Sequence, residues 1–346
     1  MNKITEYLNK WTWILGVFVA IPALLIHCNT QSAKPEAFVL LTHYNNETRS
    51  LYTSDPLNWS TSYTHEDYPE NLNGDIAIHK GNGVTQYIAF LHKKNDKKWY
   101  LMIQAGLGAT NWSEEFFQKQ IPGPAKHNKV VINYLHDALF GLIWTSGDTI
   151  YTAVLDPQKP DGQEITLSPP LVHPQISDVL VPYMSMTYHD GQVYLQLARN
   201  TDFSFQGPMQ FIICRGNISP CGITFSQVSL SPQHMTSCSN IISYNDSLYI
   251  AISQRNNQTG GQFLLLASNN GANWETAGSC PKTLNQYIDH QLLFTDRNGH
   301  FKSLVVDIFN PEGAHGYKLI DFNGCADSPF SFHFGTLGYD YYPGRI

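Results

Sequence analysis

Asparagine followed by tryptophan occurs at Asn58-Trp59, Asn111-Trp112 and Asn273-Trp274, spaced by 53 and then 162 residues, the second interval being three steps of 54. Each pair closes the same local pattern, an apolar run followed by a turn-forming segment: LYTSDPLNW, LMIQAGLGATNW and LLLASNNGANW. A unit recurring at a fixed period of this length constrains architecture before local propensity does, because one such unit buries its apolar face only against its neighbours.

The unit itself reads as four strands in a meander. From Cys238 the chain runs NIISYN, a turn at Asp246, SLYIAIS, a polar loop, QFLLLAS, the turn NNGAN and WETAG. Alternating apolar residues give the strands, and Asn-Asp and Asn-Gly supply the left-handed backbone of tight hairpins. The preceding unit repeats it with VPYMSMTYH, QVYLQLARN, MQFIICRGN and CGITFSQVSL, where Phe225 takes the place of tryptophan. Earlier come IAIHKGNG, TQYIAFLHKK, WYLMIQAG and NWSEEF, then a looser unit of VVINYLHD, LFGLIWTSGD, TIYTAVLDP and QEITLSP, in which Ile165 falls 53 residues after Trp112. The last full unit is HQLLFTDRNG, FKSLVVDIFN, YKLIDFNG and FSFHFG.

The first segment (EAFVLLTHYN, RSLYTSDPL, NWSTSY) supplies three strands, and TLGYDYY at the end supplies one. Joined, they complete a unit and leave no exposed sheet edge. The expected fold is therefore all-β, a propeller of four-stranded blades. Six blades are expected, with five or seven if the looser unit is misplaced, and the two termini share one blade. The enrichment in Tyr, Phe, Trp, Thr and Val agrees with this class.

The N-terminus reads separately. Lys3 and Lys10 precede an uncharged apolar stretch from Trp11 to Ile26 that Pro22 interrupts. Sixteen helical residues rise about 24 Å against a hydrocarbon core of roughly 30 Å. Residues 1–32 are thus expected to be a signal peptide or a membrane anchor, with lipidation of Cys28 a third possibility, and residues 36–346 a single propeller domain. All three place the body outside the cytoplasm, secreted or tethered by its N-terminus. Cysteine usage fits export: Cys214 with Cys221 and Cys280 with Cys325 are the expected disulfides, leaving Cys238 free. A net charge of -7, with no basic block longer than Lys93-Lys94 and Lys97-Lys98, argues against nucleic acid as a partner.

At Ala267-Ser268-Asn269-Asn270-Gly271-Ala272-Asn273-Trp274 the chain resembles the Asp-box, or BNR repeat, of sialidase-like β-propellers, S-x-D-x-G-x-T-W. Gly271 and Trp274 match; Ala267, Asn269 and Asn273 stand where the family has Ser, Asp and Thr. Thr53-Ser54-Asp55 to Trp59 looks like a shortened copy, and Gly222-Ile223-Thr224-Phe225 keeps the last half. The resemblance implies a hairpin lock remote from the chemistry of the family, in which the Asp position caps turn amides and tryptophan packs between sheets. Sialidase-like enzymes also carry an F/Y-R-I-P segment, three arginines on the substrate carboxylate and a Tyr/Glu nucleophile pair. The sequence has no F/Y-R-I-P, and only six arginines in all.

In a propeller, the start of the inner strand and the end of the second strand meet at one face of the channel. Inner strands are expected to begin near Asp75, Asp178, Asn240 and Asp289, and second strands to end near His43, His92 and Lys93, Asp156, Arg199, Arg255 and Asp307. Arg199-Asn200 and Arg255-Asn256 hold equivalent places in adjacent units, so two guanidinium forks can clamp one carboxylate- or phosphate-like group, or else pair with neighbouring aspartates. If the protein is an enzyme, Asp75, Asp178 and Asp289 are the candidate acid and base or nucleophile of a glycosidase, which needs two carboxyls; otherwise they cap loops. His79, His136, His189 and His290 read as satisfied strand or turn residues, and Trp99 and Trp144 as candidates to stack a sugar. No zinc-ligand spacing, GxGxxG or P-loop occurs, and no metal or cofactor is expected. The leading expectation is a binding module for a glycan or protein ligand at the channel face, without catalysis. The alternatives are a sialidase-like hydrolase of an anionic sugar with a rebuilt site, and a structural role at an envelope surface.

Overall fold

A computed structural model describes the chain within residues 38–330, apart from 45–46, 54–60, 66–73, 80–83, 109–110, 123–129, 147–148, 173–183, 201–208, 231–234, 255–260, 282–287, 297 and 308–315. The N-terminal segment, the expected closing strand TLGYDYY, Trp59, Asp178 and Arg255 lie outside the described residues. Within them the chain forms six antiparallel sheets and no helix. The first sheet holds β1 (Phe38–Tyr44), β2 (Glu47–Thr53) and β3 (Thr61–His65). The second holds β4 (Asp75–Ile78), β5 (Thr85–Lys93), β6 (Trp99–Leu107) and β7 (Asn111–Ile121). The third is β8 (Val130–Tyr134), β9 (Phe140–Ser146), β10 (Thr149–Leu155) and β11 (Ile165–Leu167), which fixes the loosely patterned unit. The fourth is β12 (Ser185–His189), β13 (Gln192–Asn200), β14 (Met209–Ser219) and β15 (Gly222–Leu230). In the fifth, β16 (Ser237–Cys238) and β17 (Ile242–Tyr244) share the first-strand place beside β18 (Ser247–Gln254), followed by β19 (Gln262–Ser268) and β20 (Glu275–Pro281). The sixth is β21 (Ile288–Thr295), β22 (Phe301–Asp307), β23 (Gly316–Asp321) and β24 (Asp327–Phe330).

Burial explains why each strand has its composition. All four residues of β4 are buried, whereas in β7 most side chains are exposed and only Ile121 is fully covered. A strand covered on both faces is apolar except where a polar side chain is hydrogen-bonded, as Asp75 is in β4, and one at the rim need not be. The sheets stack face to face in chain order, each seam filled by side chains from two neighbours. Val39 and Leu41 meet Ile76 and Phe90 at the first seam. Leu101 and Ile103 meet Ile132 and Trp144 at the second. Val131 and Ile143 meet Val193 and Leu195 at the third. Phe211 meets Ile250 and Leu264 at the fourth, and Ala251 and Leu265 meet Leu293 at the fifth. This succession of radially graded, mostly four-stranded antiparallel sheets is consistent with a β-propeller.

The Asn-Trp register marks the seams. Trp112 packs on the first-sheet cluster with its ring edge-on to His65 at 4.7 Å, and Trp274 stands edge-on to Phe211 of the fourth sheet at 5.3 Å. Ile165 and Phe225, their counterparts in the third and fourth sheets, likewise pack against the preceding sheet. The space for such a ring is made across the strand pair: a Cβ on Gly106 would lie 2.6 Å from the Trp112 ring.

The turn before Trp274 is locked by its own side chains. Ser268 Oγ accepts the Gly271 amide at 2.9 Å, and Asn270 Oδ1 accepts the amides of Ala272 and Asn273 at 2.9 and 3.1 Å. The Trp274 indole donates to the Gly271 carbonyl at 3.1 Å. Capping thus falls to Asn270 and Ser268; Asn269, aligned with the family aspartate, instead accepts the Ser247 hydroxyl at 2.8 Å. Gly271 has a φ of 71°, and a Cβ there would also meet Tyr194 at 2.8 Å, so glycine is required twice over.

Cys280 and Cys325 form a disulfide across 45 residues, with Cα atoms 5.1 Å apart, tying the fifth sheet to the β23–β24 turn. Cys214 and Cys221 do not pair, contrary to expectation. Cys214 is buried in β14 opposite Val228, and Cys221 is exposed in the hairpin turn that follows. Burial pushes the Cys214 thiol up to about 12. Cys238 is buried and forms no disulfide, its Sγ accepting the Gln196 amide at 3.2 Å.

Candidate functional site

Antiparallel pairing brings the start of each first strand and the end of each second strand to the same end of the sheet. In the second sheet Asp75 pairs with Ala89, and β5 runs on four residues to Lys93. In the fourth, Ser185 pairs with Gln196 and β13 continues through Arg199. In the sixth, Ile288 pairs with Asp307 and Asp289 with Val306, so Asp289 and Asp307 stand on neighbouring strands at that end. Gln254 ends β18, one residue before Arg255. His43 lies in β1 opposite Thr48. The side chains of His43, Arg199, Asp289 and Asp307 lie outside the description. Asp156 does not belong to this set: it follows the third strand β10, at the opposite end of its sheet, and caps that turn by accepting the Gln158 amide at 3.1 Å. The second strand there, β9, ends at Ser146.

The first strands carry a series of polar side chains that reach across the seams. Asp75 Oδ2 accepts the Ile132 amide at 3.2 Å while its Oδ1 accepts the Ile76 amide at 3.0 Å. Asn133 Oδ1 accepts the Met186 amide at 2.8 Å, Ser185 Oγ the Ile241 amide at 2.9 Å and Asn240 Oδ1 the Leu293 amide at 2.8 Å. All four side chains are buried. Their separations of 53 to 57 residues reproduce the repeat period. In the fifth sheet the first strand is split to allow this: the Ser239 hydroxyl takes the Ala251 amide at 2.8 Å in place of a ladder carbonyl, and Asn240 is released toward the sixth sheet.

Asp75 is therefore an inter-sheet link, 3% exposed, with both oxygens on backbone amides. Asp289 is not its counterpart, since the amide that receives the link in the sixth sheet is that of Leu293. Asp75→Asn, which keeps one acceptor, is expected to lower unfolding free energy by about 1–2 kcal/mol without impairing ligand binding by the folded protein. Denaturant unfolding and a binding titration on the same preparation check both halves.

At the other end of the first strands, histidines meet the next sheet. His79 packs on Tyr134 at 5.4 Å, His136 on Tyr188 at 4.0 Å, and His189 Nδ1 lies 2.9 Å from Ser243 Oγ. His136, bonded to Asp137 at 2.9 Å, and His189 are satisfied seam residues, as expected; His79 is not, its Nδ1 being buried without a hydrogen-bond partner, and the side chain of His290 lies outside the description. Among the described residues no three His, Cys, Asp or Glu side chains converge as metal ligands would. Trp144 is 1% exposed and stacked on Tyr151, so it offers no face to a sugar.

Trp99 differs. It is half-buried at the start of β6, paired with Lys93, whose ammonium lies 6.0 Å from its ring centre. Lys94 Nζ sits 4.5 Å from the Tyr100 ring and bonds to Gln118. Of the β5–β6 hairpin so framed, the sequence singles out Lys93, at the end of the second strand, and Trp99; the contacts of Lys94, Lys97 and Lys98 appear only in the fold. It closes through Lys97 N to Lys94 O at 2.9 Å and Lys94 N to Lys98 O at 3.0 Å, with Lys97 at a φ of 63°.

No protein-family model and no curated protein sequence matches the chain. Solved structures do. A variant of the Synechocystis apocarotenoid oxygenase aligns with a TM-score of 0.51 at 10% identity, covering 88% of this chain and 73% of that one. The subtype N11 neuraminidase-like protein of A/flat-faced bat/Peru/033/2010 aligns at 0.46 and 11% identity, covering 85% and 82%. A GH43 β-1,3-galactosidase aligns at 0.39 and 11%, covering 77% and 96%. The first of these likenesses is one of fold. At these identities site residues do not transfer, and the site must be argued from the chain itself.

Proposed function

We propose that this chain is an extracytoplasmic β-propeller of the sialidase-like type that binds a glycan or protein ligand, without turnover, at the end of the sheets where the second strands finish, with Lys93, Arg199, Arg255 and Asp307 as its contacts. Six blades closed by the two termini, and export or tethering through residues 1–32, belong to the same reading. The observation that carries it is the engagement of Asp75: a carboxylate buried between two backbone amides is spent on structure and has no path to a substrate. That leaves Asp289 and Asp178 as the carboxylates of the original three available for catalysis. The Cys280–Cys325 bridge supports an oxidising compartment.

The test is to offer the purified protein both a glycan array and a panel of chromogenic glycosides. Saturable binding with no product release is expected. Turnover abolished by Asp289→Asn or Asp178→Asn would replace this reading with the hydrolase of an anionic sugar.

A further inference from the structure

We infer that the β5–β6 hairpin, Lys93 to Tyr100, is the element that engages the ligand, and that the ligand is an anionic glycan. The inference rests on the binding-module reading and names the ligand class.

The segment Lys93-Lys94-Asn95-Asp96-Lys97-Lys98 holds four lysines and one aspartate, a local charge of +3 on a chain whose net charge is -7. The single acid, though exposed, is engaged within the hairpin. Asp96 Oδ1 accepts the Lys98 amide at 2.9 Å and Oδ2 the Tyr100 hydroxyl at 3.1 Å, so its charge holds the turn together. Lys93, Lys97 and Lys98 are exposed, while Lys94 is folded back over Tyr100.

The backbone gives an independent sign. Lys97 occupies the left-handed position of the turn, where glycine or asparagine is the unstrained choice. Among the described residues, the other non-glycine positions with positive φ are Asp137, Asp190, Asn245, Asp246 and the disulfide-bonded Cys325. A lysine retained where the backbone disfavours it points to a use for its charge. Trp99 completes the arrangement: packed on the second-seam cluster and only partly covered, it sets the exposed part of an indole beside the Lys93 ammonium, matching a sugar ring that bears a carboxylate or sulfate.

A linear polysaccharide can follow a narrow hairpin while avoiding the acidic remainder of the surface. A lipid bilayer is the poorer match, because the tip residues Asn95 and Asp96 are polar and have nothing apolar to insert.

Full-length protein is titrated with heparin, polygalacturonate, dextran and phosphatidylglycerol vesicles. Heparin or polygalacturonate is expected to bind, with affinity falling about tenfold as NaCl rises from about 0.05 to about 0.3 M. Combined Lys93→Gln, Lys97→Gln and Lys98→Gln should weaken binding at least about tenfold with the melting temperature held, and Lys97→Gly alone should raise the melting temperature while weakening binding about threefold. That opposite movement is not produced by a merely structural lysine. Binding of either anionic glycan that is unchanged in the triple variant, or tighter binding to the vesicles, would overturn the inference. Dextran bound equally by both proteins would overturn it too, yet leave the binding module standing.

Discussion

Removing the Cys280–Cys325 bridge by paired alanine substitution is expected to lower unfolding free energy by about 4 kcal/mol, the chain-entropy value for a closed loop of 45 residues. The bridge joins the end of β20 to the turn after β23, so it holds the sixth sheet against the fifth at the outer rim. Cys280 also lies in a small cluster with Phe263, Val305 and Ile320, and its loss leaves that seam thinly filled. Equilibrium unfolding in denaturant, with and without a reductant, reads the effect. A difference below about 1 kcal/mol would mean that the seam holds without the covalent tie.

Acid is expected to act first through His65. Burial lowers its pKa from 6.5 to about 4, its Nε2 lying 3.0 Å from Ser50 Oγ and its ring against Tyr63 and Trp112. The folded state therefore keeps the imidazole neutral over a range in which the unfolded chain takes up a proton. Stability is full above pH 6.5, falls as the pH drops through that value, and stops falling near pH 4, for a total of about 3 kcal/mol. Asp296 and Asp321 contribute in a separate, lower window. Partial burial is the largest single influence on each and works upward. Backbone amides and the Lys302 ammonium together outweigh it, holding both carboxyls below the ordinary range so that their contribution is lost only as the pH falls through those lower values. His65→Phe should flatten the stability profile between pH 6.5 and 4 and leave the more acidic limb in place. An unchanged slope in that variant would remove His65 from the account.

Much of the strand order was legible because hairpin turns announce themselves. Asp190-Gly191 and Asn245-Asp246 adopt the left-handed backbone that their chemistry favours, and the strands on either side follow. What the sequence hid was the purpose of a polar residue inside an apolar run. Asp75, Asn133, Ser185 and Asn240 share a spacing but not a residue type, and one of them, being an aspartate, was read as a candidate catalyst. Its partner lies 57 residues away on another sheet, beyond the reach of any local pattern. Cys214 and Cys221 failed for the opposite reason: closeness along a hairpin does not turn two side chains toward each other. In the lysine hairpin the sequence points to Lys93 and Trp99, while Lys97 and Lys98 stand out only as a short basic pair, and only the folded turn shows that Lys97 occupies a conformation unfavourable to it.

The seam bonds also have a direction. Asp75, Asn133, Ser185 and Asn240 each offer a side chain to the backbone of the sheet that comes later, and Ser168 does the same for the Ile223 amide at 2.8 Å, as does Gln196 for the Ser239 carbonyl at 2.7 Å. Synthesis runs from the N-terminus, so if each sheet folds as it emerges, its side chains stand ready to align the first strand of the next.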